Sequence, residues 1–234
     1  MATTWTEVGD GVLARRHDHL DLTLGLVIGT ERCLVVDTGG DEAHGAEFAA
    51  AVRHVTPLPW VVVITHGHFD HHFGTHVFLP CPVWAHERCA AAMDDDRPVW
   101  VAKFRQEGNT GAAQRLLDAR LAPPTDLLTT EATLDLGGRT VTLLHPGRGH
   151  TDHDVAVHVP DAGVVFTGDL VEQGADPSVG ADSHVAEWPH ALDVLLALDA
   201  HTHVPGHGDP VGPGYVRAQR DALSRSSGCP SESA

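Results

Sequence analysis

Three imidazoles and one carboxylate fall within six residues of the chain, in the segment 66–71 with the pattern HxHxDH. His66 and His68 alternate around Gly67, so both side chains can face one cation, whereas Asp70 and His71 can turn toward a second. Neutral imidazole and carboxylate are ligands that suit zinc, and also iron or manganese. A lone HxH is more often a polar surface loop, but the longer pattern directly after an apolar strand favours a metal site.

Further residues with metal-binding chemistry lie beside glycines in the second half of the chain. They are His150 in GHTD, Asp169 in TGD and His207 in PGHG. Each of them alone is equally well explained as a turn, a cap or a loop residue. Asp37 ends the apolar run CLVVD, and a ligating histidine usually donates its second N–H to such a carboxylate. We therefore expect Asp37 to orient a ligand, the alternative being a simple turn former.

The charge and composition exclude several classes of protein. The net charge is −17, from 32 acidic and 15 basic residues, and no basic face is visible that would meet nucleic-acid phosphates. No apolar run approaches the ~20 residues that span a bilayer, and the N-terminal residues resemble no secretory signal. The four cysteines form no CxxC pair, which argues against a structural zinc cluster. We expect a cytoplasmic protein that contacts neither nucleic acid nor membrane.

The apolar pattern predicts a mixed α/β (α+β) fold with two β-rich halves, each followed by helix. Strands are predicted at 22–28, 33–37, 60–64, 83–85, 133–136, 140–144, 155–159, 164–167 and around 203–204. Helices are predicted at 41–55, 189–198, 215–224 and over most of 86–120, with a break near 108–111. Two sheets packed face to face with helices outside would bring the polar loops to one edge. One domain is predicted over 1–234, with a core at about 8–212 and a C-terminal helix and frayed tail at 213–234.

Five motifs occur in the order found in the metallo-β-lactamase superfamily, which the chain resembles over nearly its full length. They are VDTG at 36–39, HGHFDH at 66–71, GHTD at 149–152, FTGD at 166–169 and PGHG at 205–208. The resemblance implies a four-layer αββα sandwich with metals at one edge of its two sheets. It further implies two Zn²⁺ ions, with Fe or Mn as alternatives. The implied ligands are His66, His68 and His150 for the first metal, Asp70, His71 and His207 for the second, and Asp169 bridging both.

The resemblance also implies a hydrolase that uses a metal-bridging hydroxide, with Asp70 orienting this nucleophile. We expect a small-molecule substrate: an ester, thioester, lactone or amide. Lactam hydrolysis is disfavoured, because the lactam-opening classes generally lack the acid that Asp169 supplies. The alternatives are a true β-lactamase, a mononuclear iron sulfur dioxygenase-like enzyme, and a metal-binding protein without activity.

The residues that contact the substrate are expected in loops over the metals. The loop 173–188 lacks strong periodicity and can form a pocket wall. Glu172, His153, His184 and Trp188 are the candidate substrate-binding residues. Glu172 occupies the position where lactonases that cleave acyl-homoserine lactones carry a tyrosine, which weakens that assignment. His72 is expected to start the next helix or to pack behind the site, and the oligomeric state is not predicted.

Overall fold

Short apolar runs of the sequence form two β-sheets in the computed structural model, which describes residues 4–18 and 20–227. The first sheet has seven strands in chain order: β1 (Trp5–Gly9), β2 (Val12–Arg16), β3 (Thr23–Ile28), β4 (Cys33–Val36), β5 (Trp60–Val63), β6 (Val83–His86) and β7 (Asp126–Leu128). The second sheet has five strands: β8 (Glu131–Asp135), β9 (Thr140–Leu144), β10 (Ala156–Val159), β11 (Val164–Glu172) and β12 (Thr202–His207). Their order across this sheet is β12-β11-β10-β9-β8.

Parallel pairing brings strand ends from distant parts of the chain to the same side. Strands β4, β5, β6 and β7 pair in parallel, with Val36 opposite Val63 at the carboxyl ends of β4 and β5. In the second sheet, β11 and β12 pair in parallel, with Glu172 opposite His207. Ligand sites in sheets of this kind form at the carboxyl ends of the strands. Six predicted metal ligands lie after β5, in the second half of β11 or at the end of β12, and the seventh, His150, lies between β9 and β10.

Helices cover the outer faces of both sheets. They are α1 (Glu42–Val55), α2 (Phe69–His72), α3 (Cys89–Ala92), α4 (Arg97–Gln106), α5 (Thr110–Asp118), α6 (Trp188–Leu196) and α7 (Pro213–Ser227), with short 3-10 helices at Thr75–Phe78 and Pro160–Ala162. Helix α1 begins where the Asp41 side chain accepts a hydrogen bond from the His44 N–H, and it ends at Val55, with Thr56 as the C-cap residue before Pro57. An N-cap of this kind stabilises a helix by about 1 kcal/mol.

Three apolar clusters define four layers. The central cluster joins the inner faces of the two sheets and includes Val36, Val63 and Phe166. A second cluster packs Phe48 of α1 against the outer face of the first sheet, and a third packs Leu192 of α6 against the second. Burying one such side chain contributes roughly 1.5–3 kcal/mol. The predicted αββα sandwich is therefore confirmed.

The elements differ from the sequence prediction in two respects. Strands β1, β2 and β7 were not predicted, because their side chains are of mixed polarity and partly exposed. Strand β11 continues to Glu172 and β12 to His207, so Asp169 lies within a strand rather than in a turn. The predicted C-terminal helix is present as α7, whereas the predicted frayed tail falls on 228–234, outside the described residues. The extent of a single domain over 1–234 stays a prediction.

Within residues 4–18 and 20–227, none of the helices has both the length and the apolar character that crossing a membrane requires.

Candidate metal centre

Three imidazoles from two separate loops converge on one point. His66 and His68 follow β5, and His150 lies between β9 and β10. The Nδ1 atom of His68 is 3.1 Å from Nε2 of His66 and 2.9 Å from Nε2 of His150. Oδ2 of Asp169 lies 3.8 Å and 3.6 Å from those two Nε2 atoms. We call His66, His68, His150 and Asp169 the first cluster, whose donor atoms all lie within 4.8 Å of one another.

We call the ring nitrogen that faces away from the cluster the outer nitrogen and the one that faces into it the inner nitrogen. A hydrogen bond at the outer nitrogen of His66 determines which of its two nitrogens carries the proton. The Thr65 hydroxyl donates to Asp37 Oδ2 at 2.8 Å, so its lone pair accepts from Nδ1–H of His66 at 3.1 Å. Because a neutral imidazole carries one proton, Nε2 of His66 presents a lone pair toward His68.

The outer nitrogens of His68 and His150 are held in the same way by the loop that follows β11. Nε2 of His68 donates to Oδ2 of Asp182 at 2.9 Å, and Nδ1 of His150 donates to the Ser178 carbonyl at 3.1 Å. In their neutral forms the three imidazoles therefore turn their lone pairs toward one another, with the lone pair of His68 about 3 Å from each of the other two nitrogens. Such an arrangement is repulsive by itself and becomes favourable around a cation.

The second cluster consists of Asp70, His71 and His207. Nε2 of His207 lies 3.4 Å from Asp70 Oδ2 and 3.3 Å from Asp169 Oδ2. Nε2 of His71 lies 3.2 Å from Asp169 Oδ1 and 4.0 Å from Asp70 Oδ1. The His71 and Asp169 atoms are buried, and neither has an aligned hydrogen-bond partner. Asp169 thus has its carboxylate between the two clusters, as expected for a bridging acid.

The outer nitrogens of the second cluster also have acceptors. Nδ1 of His71 donates to Oδ2 of Asp37 at 2.8 Å, and Nδ1 of His207 donates to the Leu20 carbonyl at 2.7 Å. Asp37 also accepts from the Thr65 N–H at 2.8 Å, which joins the ends of β4 and β5. The predicted orienting role of Asp37 therefore agrees with its position.

A glycine allows Asp169 to reach both clusters. A Cβ added at Gly206 would lie 1.9 Å from Oδ1 of Asp169. The pairing of β11 with β12 is irregular from Phe166 to Glu172, and this irregularity brackets Asp169. The glycine before His207 in the PGHG motif is therefore required by the path of the Asp169 side chain.

Burial and neighbouring carboxylates shift the imidazole pKa values in opposite directions, and in the first cluster Asp182 raises the pKa of His68 against burial. Burial lowers the pKa of His66 well below its ordinary value and lowers that of His150 to about 4. Burial acts in the same direction on His207, but Asp169 and Asp70 outweigh it and raise its pKa to about 10. The pKa of His71 is likewise raised, against burial, by its neighbouring carboxylates. The second cluster therefore attracts positive charge, and a metal ion would replace protons there.

These residues fit divalent metal ions of the zinc type. With Zn–N bonds of about 2.0–2.1 Å and tetrahedral angles, two ligand nitrogens are about 3.3 Å apart. The inner nitrogen of His68 is 3.1 Å from that of His66 and 2.9 Å from that of His150. Acceptors on the outer nitrogens are the usual partners that orient metal-binding histidines.

The four candidate substrate-binding residues occupy different environments. Glu172 is buried, and its side chain accepts a hydrogen bond from the Ser178 N–H at 2.8 Å. Trp188 is fully buried behind His150, with Nε1 donating to the Leu170 carbonyl. Both side chains are thus shielded from solvent, and their predicted contact with a substrate stays a prediction.

The other two candidates also differ from each other. His153 is buried, and Nε2 accepts from the Gly67 N–H at 3.0 Å. His184 is half-buried, with Nδ1 3.7 Å from a Glu187 carboxylate oxygen. Of the four, His184 alone keeps an accessible side chain that a substrate can contact.

Several supporting residues were not recognised from the sequence. Asp182 and Ser178 belong to a loop that was predicted only as a pocket wall, and the Leu20 carbonyl is a backbone group without a sequence signal. Asp96 accepts a hydrogen bond from the Phe69 N–H at 3.0 Å and so holds the backbone between His68 and Asp70. Only the acidic character of Asp182 and Asp96 could have pointed to them.

Comparison with known proteins gives one family. The sequence profile of the metallo-beta-lactamase superfamily matches residues 23–207. The chain is 28% identical over 209 residues to metallo-beta-lactamase type 2 of Bacillus cereus, covering 85% of this chain and 72% of the relative. It is also 28% identical over 201 residues to acyl-coenzyme A thioesterase MBLAC2 of Gallus gallus, covering 80% and 72%.

Solved structures give the same fold. A metallo-beta-lactamase from Pontibacter korlensis superimposes with a TM-score of 0.73 over 94% of this chain and 98% of that chain, at 22% identity. At this identity the likeness concerns the fold alone.

Proposed function

The chain belongs to the metallo-β-lactamase superfamily, and we propose that it is a hydrolase whose two clusters hold two zinc ions. His66, His68 and His150 would hold the first ion, and Asp70, His71 and His207 the second, with Asp169 shared between them. The observation that carries this proposal is the orientation of the five imidazoles. Each turns one nitrogen into the centre, while its other nitrogen bonds Thr65, Asp182, Asp37 or a backbone carbonyl.

The total charge of the proposed metal ligands supports two divalent ions and an electron-rich substrate. Five neutral imidazoles and two carboxylates offset two of the four positive charges of a zinc pair. When bound, such a pair lowers the pKa of coordinated water from ~15.7 to ~7 and polarises the carbonyl group under attack.

Asp70 is the proposed catalytic residue. Its carboxylate lies between the two ring nitrogens of the second cluster, at 3.4 Å from His207 and 4.0 Å from His71. There it can orient the attacking water and accept its proton at a carboxylate oxygen. The water oxygen bonds to the carbonyl carbon, the acyl bond breaks, and the proton passes to the leaving oxygen, sulfur or nitrogen. General acid–base catalysis of this kind contributes about 10²–10⁴-fold.

We propose a small ester, thioester, lactone or amide as the substrate. The position of Asp169 between the clusters supports this choice over a lactam, given that the lactam-opening classes generally lack that acid. A thioester is supported further by the likeness to relatives named acyl-coenzyme A thioesterase. A lactam stays the second candidate because other relatives are named metallo-beta-lactamase. The cytoplasmic location and the lack of a nucleic-acid partner stay predictions.

Metal analysis coupled to a substrate panel tests the proposal. Purified protein is assayed for zinc, iron and manganese, stripped with a chelator, and reloaded with each metal alone. Each form is offered an ester, a thioester, a lactone, an amide, a lactam and a phosphodiester, with oxygen uptake recorded in parallel. We expect about two zinc ions per chain and turnover of one of the first four substrates. Iron with oxygen consumption, or bound metal without turnover of any substrate, would contradict the hydrolase.

A further inference from the structure

The two peptide groups that flank the Gly67 Cα are each held by one histidine, and neither histidine is among the predicted metal ligands. The Gly67 N–H donates to Nε2 of His153 at 3.0 Å, and the Gly67 carbonyl accepts from Nε2 of His72 at 3.1 Å. His72 ends α2, and His153 lies between β9 and β10. Both side chains are buried, so water does not compete effectively for these bonds.

Neighbouring residues fix the proton positions that this arrangement needs. Nδ1–H of His153 donates to Oδ1 of Asp152 at 2.8 Å, which leaves Nε2 as the acceptor for Gly67. Asp152 is held in turn by Arg88, whose Nε is 3.1 Å from Oδ2. His72 must carry its proton on Nε2, because its partner is a carbonyl oxygen.

The fit around Gly67 is close. A Cβ added at this position would lie 3.0 Å from Nε2 of His153 and 3.2 Å from Cβ of Ala92. Contacts this short require the neighbour to move, so the central glycine of the HGH segment leaves the room that the His153 ring occupies.

We propose that His72 and His153 are positioning residues that set the angle between the His66 and His68 side chains. Gly67 joins these two residues along the chain, and rotation about its backbone bonds would separate the inner nitrogens that now lie 3.1 Å apart. Holding both flanking peptide groups restricts that rotation and preforms the first cluster before a metal arrives. The inference rests on the proposed function only in that the first cluster binds metal.

We call the hydrogen bonds of His72 and His153 to the Gly67 backbone the clamp, and matched amide substitutions test it. A glutamine side chain reaches the position of Nε2 in histidine, whereas asparagine reaches only that of Nδ1. We expect His153→Asn, His153→Ala, His72→Asn and His72→Ala to weaken Zn²⁺ binding about 10–100-fold, the range for groups that orient metal ligands. His153→Gln and His72→Gln should restore most of the affinity. His158→Ala, on β10, is the control and should bind like the unmodified protein.

The readouts are independent of turnover. Zinc affinity is measured by competition with a chromophoric chelator, the ligand geometry by the visible spectrum of the Co²⁺-loaded protein, and folding by thermal unfolding of the metal-free protein. Reduced affinity with an altered Co²⁺ spectrum, restored by glutamine, supports the clamp. Unchanged affinity in all variants overturns it, as does an equal loss in the alanine, asparagine and glutamine variants. If an alanine variant does not fold, the asparagine and glutamine pair decides. Failure of the unmodified protein to bind zinc would instead contradict the proposed function.

Discussion

Oδ2 of Asp37 lies 2.8 Å from Nδ1 of His71, at the point where the neighbouring strands β4 and β5 end. The same carboxylate accepts bonds from the N–H and the hydroxyl of Thr65, and that hydroxyl accepts from His66. One buried acid thus orients one imidazole in each cluster, directly for His71 and through Thr65 for His66.

Asp37→Asn should weaken zinc binding about 10–100-fold and lower the free energy of unfolding by about 1–3 kcal/mol. The amide cannot accept all three bonds, although asparagine tolerates the left-handed backbone at this position (φ 59°). Chelator competition and denaturant unfolding measure the two effects. Asp199→Asn is the control, because Asp199 is exposed and has a similar φ of 55°. Equal zinc affinity and equal stability of the two variants would contradict the orienting role of Asp37.

Asp70→Ala should reduce kcat at least ~100-fold while the protein stays folded, because it removes the group that orients the water and accepts its proton. The rate is measured on whichever substrate the panel identifies, and the fold by circular dichroism. Asp70→Asn keeps the side-chain shape and separates loss of the carboxylate from loss of packing. Turnover near the original rate in either variant would show the mechanism to be wrong.

Asp182→Ala should weaken zinc binding about tenfold or more, since its carboxylate accepts the Nε2 proton of His68. The hydrogen bond from His68 also holds the pKa of Asp182 at about 2. Asp176→Ala removes an exposed acid from the same loop and is the matched control for the change in net charge. If both variants lose affinity equally, the effect comes from the charge of the loop rather than from the bond to His68.

Zinc affinity should rise with pH between about 6.5 and 10, by up to tenfold per pH unit for each proton released. His207 has a pKa of about 10 in the folded chain, because Asp169 and Asp70 outweigh burial, so zinc must displace its proton. In chelator-stripped protein, the pH dependence of folding stability has the opposite sign to that of zinc affinity. The raised pKa stabilises the fold fully below about pH 6.5, and this contribution is lost as the pH rises toward 10.

Isothermal titration calorimetry in buffers of different ionisation enthalpy measures the number of protons released. On binding zinc, the His207→Gln variant should release fewer protons than the unmodified protein. Zinc affinity that does not change with pH would contradict the assignment of His207.

Gly45→Ala should lower the free energy of unfolding by about 1–3 kcal/mol, despite the higher helix propensity of alanine. An added Cβ would lie 2.6 Å from the carbonyl oxygen of Gly74, where α1 approaches the segment after α2. Gly214→Ala in α7 is the control: nothing lies within 4 Å of its added Cβ, and it should stabilise by roughly 0.4–1 kcal/mol. Denaturant unfolding compares the two, and a stable Gly45→Ala would refute this close packing.

The sequence by itself determined the strands and helices that have a clear apolar run or period, the sandwich fold and the set of predicted ligands. Strand β5 is a continuous apolar run rich in β-branched residues, and the apolar residues of helix α1 recur at helical spacing. His66, His68, Asp70 and His71 could be recognised together because one short segment carries them all.

The tertiary structure decided what surrounds those ligands. Asp182 meets His68 across 114 residues of chain, and His207 bonds the Leu20 carbonyl across 187. Such pairs leave no local pattern, and a backbone carbonyl has no residue type that marks it. The tertiary structure likewise decided that the candidate substrate-binding residues Glu172, Trp188 and His153 are buried, because the packing of distant elements determines which polar side chains lose their contact with water.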